Sequence, residues 1–311
     1  MKFPFSLRKK SEFDAVGFGT NAVDYLIRVP EYPQFNSKVR LTDCVISAGG
    51  EAASTMAGLQ RLGFKTAYIG RFGGDEAGDL GRRSLVDEGV DVAFTESIRD
   101  AKTQIAFILI DERTGERTII WDRDKKLEYR VSEVPEQAAI RGKVLHLTPH
   151  DTKACIRLAK AARDAGVIVS ADIDNIFDGI DELLPHVDVM IASADLPEKL
   201  IGTTDMRAGL RAMASRFGCL VTGVTLGAGG SLILCGDTMT KTPGFEVPGA
   251  CMDTTGAGDA FRAGLLYGIL RGDSIEDSAV IANAVAALKC RAPGARTALP
   301  DKSELLTFLK K

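Results

Sequence analysis

Residues 144–174 read VLHLTPHDTKACIRLAKAARDAGVIVSADID, and this stretch decides the fold class. Two apolar strands, at 144–147 and 167–172, enclose an amphipathic helix at 152–164. Further along the chain the same alternation continues, with elements at 187–192, 206–216 and 220–225. This alternation predicts an α/β fold with a mostly parallel central sheet and helices on both faces. Ligands of such sheets bind beyond the carboxyl ends of the strands.

The first half of the chain is less regular. Two β-rich segments, about 24–46 and 92–121, interrupt the alternation and are predicted to form a small sheet outside the main one. The first segment carries β-prone runs at 25–29 and 38–41, and the second ends in a predicted hairpin. The first ten residues are expected to be a loose basic leader. The whole chain, 1–311, is predicted to be a single domain.

Composition excludes several classes of function. Apolar residues make up 45% of the 311 residues and charged residues 26%, which is typical of a globular protein. The net charge of -3 argues against a nucleic-acid partner, because nucleic-acid binding needs a basic surface. Six scattered cysteines, no signal-peptide pattern and no long apolar run predict a cytoplasmic protein without a membrane segment.

The richest segment for chemistry is 253–259, DTTGAGD, which leads into an apolar helical pattern. Gly256 and Gly258 allow the backbone to approach a ligand closely, and the amides at a helix start form an anion site. Asp259 is either a simple helix cap or a base that takes the proton of an attacking hydroxyl. The residues alone leave both interpretations open.

DTTGAGD, followed by a helix of small residues, closely resembles the C-terminal signature of the ribokinase-like (PfkB) carbohydrate kinases. The resemblance implies that Asp259 is the catalytic base and that the amides of Gly256, Ala257 and Gly258 form an anion hole. It also implies a ribokinase-like fold. The two β-rich segments then correspond to a lid, which covers the sugar and often forms a dimer interface in the family.

The resemblance extends to the acceptor side. The run from Gly49 to Gly63 is similar to the family's N-terminal signature, in which a glycine pair begins a helix beside the sugar. Asn21 to Asp24 resembles an Asn-x-x-Asp motif whose aspartate binds sugar hydroxyls. A tight turn and a solvated carboxylate are the alternative explanations. The candidate substrate-binding residues are Asp24, Gly49, Gly50, Glu51, Ser54 and, from the lid, Arg123.

On the nucleotide side, 224–230 reads VTLGAGG and follows a buried strand. It resembles the family's glycine turn at ATP, although a turn without a ligand has the same composition. The candidate ATP-binding residues are Thr225, Gly227 and Gly229, together with Asn283 on a helix that lines the adenine pocket in relatives.

Two departures from the family pattern affect substrate and metal. Ser54 stands where the N-terminal signature commonly has Asn. Residues 193–196, SADL, replace the common Asn-x-x-Glu, and the serine resembles the ketohexokinase branch, which favours a ketose. Asp195 and Glu198 are the remaining candidates for Mg²⁺. Asp253 and Thr255 suggest a possible monovalent cation, as in some relatives.

The sequence therefore predicts an ATP-dependent kinase for a hydroxyl of a monosaccharide or sugar acid, of the ketose, ribose or 2-keto-3-deoxygluconate type. Its expected cofactors are ATP and Mg²⁺, with a possible monovalent cation, and a homodimer through the lid is possible. A nucleoside kinase of the same fold and an inactive regulator that binds sugar or nucleotide are the alternatives. An oxidoreductase is disfavoured, because Gly17 and Gly19 do not extend to the GxGxxG pattern.

Overall fold

The computed structural model describes residues 1–310. Within this range the chain forms thirteen strands and ten α-helices, each numbered in chain order. The strands are β1 (Phe13–Phe18), β2 (Ala22–Val29), β3 (Asp43–Gly49), β4 (Thr66–Gly73), β5 (Asp91–Ile98), β6 (Ile105–Asp111), β7 (Arg117–Asp122), β8 (Gly142–Leu147), β9 (Ile168–Ile173), β10 (Val189–Ser193), β11 (Val221–Thr225), β12 (Ser231–Cys235) and β13 (Thr238–Thr242). The helices are α1 (Glu51–Arg61), α2 (Glu76–Asp87), α3 (Glu136–Ala139), α4 (Thr152–Asp164), α5 (Ile180–Leu183), α6 (Leu196–Ile201), α7 (Met206–Phe217), α8 (Ala257–Arg271), α9 (Ile275–Lys289) and α10 (Lys302–Phe308).

The larger sheet has nine strands in the order β13-β12-β11-β10-β9-β8-β1-β4-β5. Neighbouring strands from β5 across to β11 run parallel, and β12 and β13 add an antiparallel edge. One apolar core joins α1, α8 and α9 to one face, and a second core joins α4 and α7 to the other. The prediction of an α/β fold with a mostly parallel central sheet and helices on both faces is therefore confirmed.

The smaller sheet, called the lid sheet from here on, has the order β3-β2-β6-β7. Its inner face carries a small apolar cluster of Leu26, Ala106, Ile108 and Ile110. Strands β6 and β7 form the predicted antiparallel hairpin, with Ile105 opposite Asp122. The lid sheet stands over the carboxyl ends of the main-sheet strands, where the alternating pattern places a ligand.

The second lid segment starts later than predicted. Residues 91–98 form β5, which pairs in parallel with β4 at the edge of the main sheet. The reason is topological: β4, α2 and β5 form a strand-helix-strand unit, and such a unit returns its second strand to the same sheet. The segment 92–121 therefore divides between the two sheets.

Two other local expectations differ from the structure. The run 38–41 lies outside any strand, and the strand that pairs with β2 is β3, from Asp43 to Gly49. The expected loose leader is packed, because Phe3, Phe5 and Leu7 are partly buried against the core around α8 and α9. Over residues 1–310, every helix is too short or too polar to cross a membrane.

Candidate active site

A cavity of about 700 Å³ lies between the lid sheet and the carboxyl ends of the main-sheet strands. Its wall draws on the lid strands, on the start of α1 and on the loop that begins α8. The far end is lined by Thr225 and by Asn283 of α9. Residues from each of the three predicted groups, which are to bind the acceptor, act as the base and bind the nucleotide, thus line one continuous cavity.

Asp259 lies in the first turn of α8 and faces this cavity. Asp259 is 9% exposed to solvent. Burial raises the pKa of Asp259 to about 6, while Arg262 opposes the rise and Asp174 adds to it. A carboxyl group with this pKa is mostly ionised at neutral pH and is a stronger base than an ordinary aspartate.

The predicted anion hole forms the N-terminus of α8. Gly256, Ala257 and Gly258 all line the cavity. Gly256 caps the helix with φ 75°, a left-handed conformation that favours glycine. A Cβ atom on Gly256 would also lie 2.8 Å from the Cα of Ala295. This glycine is therefore required both by the turn and by the packing beneath it.

The acceptor end combines Asp24 of β2 with the start of α1. Asp24, Gly50 and Glu51 line the cavity. Burial raises the pKa of Asp24 to about 7, and the nearby Arg296 is the main opposing cause. Burial, with Asp174 next in order, also raises the pKa of Glu51 well above its usual range. Gly49 lies behind them, and a Cβ there would fall 2.0 Å from Asp24 Oδ2.

Three of the predicted substrate-binding residues, Gly49, Ser54 and Arg123, are not part of the cavity wall. Ser54 is fully buried within α1, and its hydroxyl accepts a hydrogen bond of 3.2 Å from Arg296 Nε. Arg123 forms an ion pair of 2.7 Å with Asp151, which occupies its guanidinium. The serine that departs from the family pattern thus contacts a buried arginine.

Arg296 was missed by the sequence reasoning. Its guanidinium is buried and donates to Gly49 O at 2.5 Å and to Ser84 Oγ at 3.0 Å, besides Ser54. Arg296 therefore connects the loop after α9, in which it lies, to the glycine pair Gly49-Gly50 at the acceptor end of the cavity. Its partners lie more than 200 residues away, so no local pattern could have revealed this role.

At the nucleotide end, Thr225 and Gly227 line the cavity, whereas Gly229 lies in the same turn but outside the lining. Asn283 is buried and its amide donates to Ser231 Oγ at 3.1 Å and to Ala279 O at 3.0 Å. Its carbonyl oxygen takes no part in either of these two hydrogen bonds.

The residues predicted for Mg²⁺ do not fit a metal site. Asp195 accepts from Ser193 Oγ at 2.6 Å and pairs with Lys199 at 2.6 Å. Neither Asp195 nor Glu198 belongs to the cavity wall. Among residues 1–310, no group of three or more His, Cys, Asp or Glu side chains is arranged to hold a metal ion.

Of the two residues predicted for a monovalent cation, Asp253 already has a cationic neighbour. The Asp253 carboxylate is wholly buried and lies 3.8 Å from the ammonium of Lys289, the last residue of α9. Lys289 Nζ also donates to the carbonyl oxygen of Asp253 at 2.9 Å. Burial lowers the pKa of the Lys289 ammonium, and Asp253 is the largest cause that raises it. A cationic group of the chain itself thus contacts Asp253.

A buried ion pair lies directly behind the base. Arg262 of α8 pairs with Asp172 at the end of β9, and Arg262 Nη2 donates to Ile191 O at 3.3 Å. Burial raises the pKa of Asp172 to about 8, with Arg262 as the main opposing cause. From the sequence, Asp172 ends a buried strand at the predicted edge of the site, and a plain polar strand terminus is the alternative interpretation. The spacing of Asp259 and Arg262, three apart on one helix face, is a local signal that could have placed Arg262 beside the predicted base. Asp172 is brought to Arg262 only by the fold.

Aromatic rings form another part of the acceptor wall. The ring of His150 lies between those of Trp121, 5.8 Å away, and Phe177, 4.8 Å away, as measured between centroids. His150 Nδ1 is 3.7 Å from Glu51 Oε2. From the sequence, His150 is interpreted as structural because it flanks a strand end beside Pro149. Its contacts with Trp121 and Phe177 arise only in the folded chain.

Residues 16–302 match the sequence pattern of the pfkB family carbohydrate kinases. The chain is 26% identical over 305 residues to a nucleoside kinase of Methanothermobacter thermautotrophicus, covering 94% of each protein. A ribokinase of Arabidopsis thaliana, solved with ribose and ATP, is 25% identical with a TM-score of 0.82 over 96% of this chain and 99% of its own. A fructokinase of Vibrio cholerae, solved as a double mutant with fructose, ADP and potassium, is 24% identical with a TM-score of 0.78 over 97% and 100%.

The match covers nearly the whole chain, and the fold and the cavity agree with it. This protein therefore belongs to the pfkB family of carbohydrate kinases and is a phosphotransferase whose acceptor is a hydroxyl group.

Proposed function

We propose that the protein transfers the γ-phosphoryl group of ATP to a hydroxyl of a neutral monosaccharide. The observation that carries this proposal is the position of Asp259, which faces the cavity directly beside the helix start formed by Gly256, Ala257 and Gly258. A base and a set of backbone amides at one point suit a reaction in which a hydroxyl loses a proton while phosphoryl charge develops.

In this mechanism the acceptor hydroxyl lies against Asp259, whose carboxylate takes the proton as the oxygen attacks phosphorus. The amides at the start of α8 stabilise the equatorial phosphoryl oxygens, aided by the helix dipole. Asp24 and Glu51 accept hydrogen bonds from other hydroxyls of the acceptor and hold it in line. The lid sheet excludes water and so limits the hydrolysis of ATP.

The charges of the acceptor end favour a neutral substrate over a sugar acid. Asp24, Glu51, Asp174 and Asp259 all line this region. Arg123, the cation predicted to contact a sugar from the lid, is paired with Asp151. A carboxylate or phosphate on the substrate would face carboxyl groups whose raised pKa values already indicate that negative charge is disfavoured there. Of the two arginines in the cavity wall, Arg262 is paired with Asp172 and Arg117 donates to Thr254 Oγ1 at 2.7 Å. A ketose or pentose therefore fits better than a 2-keto-3-deoxygluconate type.

A nucleoside is the second candidate acceptor, because the rings of Trp121, His150 and Phe177 form an aromatic wall at this end. A planar base could stack on such a wall, and Glu51 could accept a hydrogen bond from its N–H groups. The similarity to a nucleoside kinase adds to this reading.

ATP is the proposed donor, in keeping with relatives solved with ATP or ADP. We propose that Mg²⁺ arrives with the phosphates of ATP and keeps most of its waters, because the predicted protein ligands Asp195 and Glu198 lie away from the cavity. The six cysteines are all free thiols, which is consistent with the proposed cytoplasmic location.

We also propose a homodimer through the lid sheet. Its outer face presents one row of apolar side chains across all four strands, since Ile46 pairs with Tyr25, Tyr25 with Phe107 and Phe107 with Ile120. Ile46 is 52% exposed and Ile120 is 59% exposed. An apolar row of this kind is typical of a protein interface.

The kinase proposal is tested by ADP release from Mg-ATP with a panel of fructose, ribose, 2-keto-3-deoxygluconate and nucleosides. Asp259→Asn keeps the shape of the side chain and removes the base, so kcat should fall by roughly a thousand-fold or more. Asp237→Asn, in the turn between β12 and β13, is the matched control and should leave kcat unchanged.

Full activity of Asp259→Asn would show that Asp259 is not the base. An inactive wild type that nevertheless binds ATP or sugar by calorimetry would favour the regulator predicted as an alternative. Turnover with nucleosides alone would select the second candidate acceptor.

A further inference from the structure

The loop 253–256 leads into the anion hole, and its first residue is a wholly buried carboxylate. Asp253 Oδ1 accepts the amide of Thr255 at 2.8 Å, and Oδ2 accepts the amide of Gly294 at 2.8 Å. The Asp253 side chain thus joins the loop before α8 to the loop after α9, which contains Gly294. A carboxylate withdrawn from water in this way requires a compensating positive charge.

Lys289 supplies that charge from the last position of α9. Its side chain is fully buried, which is rare for lysine and is tolerated only beside a partner. Its ammonium contacts both the carbonyl oxygen and the carboxylate of Asp253. A carbonyl oxygen and a carboxylate oxygen are also the kinds of ligand that a bound alkali cation would use.

We propose that the Lys289 ammonium takes the place of a bound monovalent cation, so that this kinase positions its anion hole without potassium. The positive charge is fixed covalently at the base of the loop and holds Asp253 against the amides of Thr255 and Gly294. Lys289 is thus a positioning residue: it acts through Asp253 on the loop and is not part of the cavity wall. The kinetic measurements that test this inference rest on the proposed kinase function. The measurements of melting temperature do not.

The first arm uses the wild-type protein in chloride salts of potassium, sodium and choline at equal ionic strength. We expect the same kcat, the same KM for ATP and the same melting temperature in all three salts. Activation by potassium of about tenfold or more over choline, or a specific rise in melting temperature with potassium, would overturn the proposal.

The second arm uses Lys289→Ala, which opens a space beside Asp253 that a cation can enter. In choline we expect a lower melting temperature and a loss of roughly tenfold or more in kcat/KM for ATP, because the loop loses its charge partner. Potassium or ammonium ions should raise both quantities again. Lys289→Met fills the space without a charge, so it should be impaired and should not respond to either ion.

Lys143→Ala is the control, since Lys143 also pairs with an aspartate, Asp14, at 2.7 Å, but in a partly exposed pair away from Asp253. It should show no response to potassium. If Lys289→Ala ignores potassium and ammonium in both melting temperature and turnover, the proposal is wrong. The melting temperature tests the role of Lys289 separately from the proposed kinase function, because its response to ions does not depend on the kinase reaction.

Discussion

At the scale of the residue, the pKa of the proposed base is controlled by a neighbour on its own helix. Arg262 is the largest cause that keeps the pKa of Asp259 from rising beyond about 6, and it is itself held by Asp172. An aspartate works as a base only when it is ionised. The proposed catalytic carboxylate is therefore mostly ionised at neutral pH, because a buried cation lies beside it.

The predicted consequence is a pH profile. For the wild type, kcat/KM for the acceptor should rise with pH through about 6, as Asp259 loses its proton. Arg262→Gln removes the lowering influence, so the rise should move to higher pH. The measurement is kcat/KM against pH for both proteins.

Arg216→Gln, which removes an exposed ion pair with Asp181, is the control and should leave the profile in place. Asp24, with a pKa of about 7, could also titrate in this range, so the profile is repeated in Asp24→Asn. An unchanged profile in Arg262→Gln would show that Arg262 does not set the pKa of the base.

At the scale of the element, α8 offers a comparison between its own two ends. Gly256 and Gly272 cap the helix with φ 75° each, so alanine strains both positions by about 1–2 kcal/mol. Gly272 has open space around it, whereas a Cβ on Gly256 meets Ala295 at 2.8 Å. The two ends thus share the strain and differ in packing and in distance from the cavity.

We therefore expect Gly256→Ala to lose most of its kcat, because the loop must shift and carry the anion-hole amides with it. Gly272→Ala should lose a little stability and keep its kcat. Melting temperature and kcat of both variants check this. Equal kcat values for Gly256→Ala and Gly272→Ala would contradict the proposed role of the backbone amides at Gly256 as an anion hole.

Elements with strong local patterns were predictable from the sequence. Helix α4 spans Thr152–Asp164 as predicted, because its apolar face and the following Gly166 define it locally. Strand β3 was missed, since its first four residues are exposed and its partner β2 is supplied by the fold. The site residues predicted within 253–259 rest on a contiguous motif, and the structure places Gly256, Ala257, Gly258 and Asp259 on the cavity wall. Arg296 and Lys289 were missed, because each meets its partners only in the folded chain.

At the scale of the whole molecule, the outer face of the lid sheet predicts the assembly state. Ile120→Lys places a charge in the middle of the apolar row and should shift a dimer towards monomers. Leu306→Lys changes another exposed apolar residue, on α10, and should leave the assembly unchanged. Sedimentation velocity measures both variants. A wild type that is monomeric at all concentrations would contradict the proposed dimer.

The carboxylates around the acceptor have a consequence for the end of the catalytic cycle. In the proposed reaction a neutral sugar enters a region lined by Asp24, Glu51 and Asp174, and it leaves as a phosphate ester with about two negative charges. The groups that hold the hydroxyls of the substrate thus repel the finished ester. Product departure is driven by the reaction itself, and the accumulated sugar phosphate should be a weak inhibitor of this enzyme.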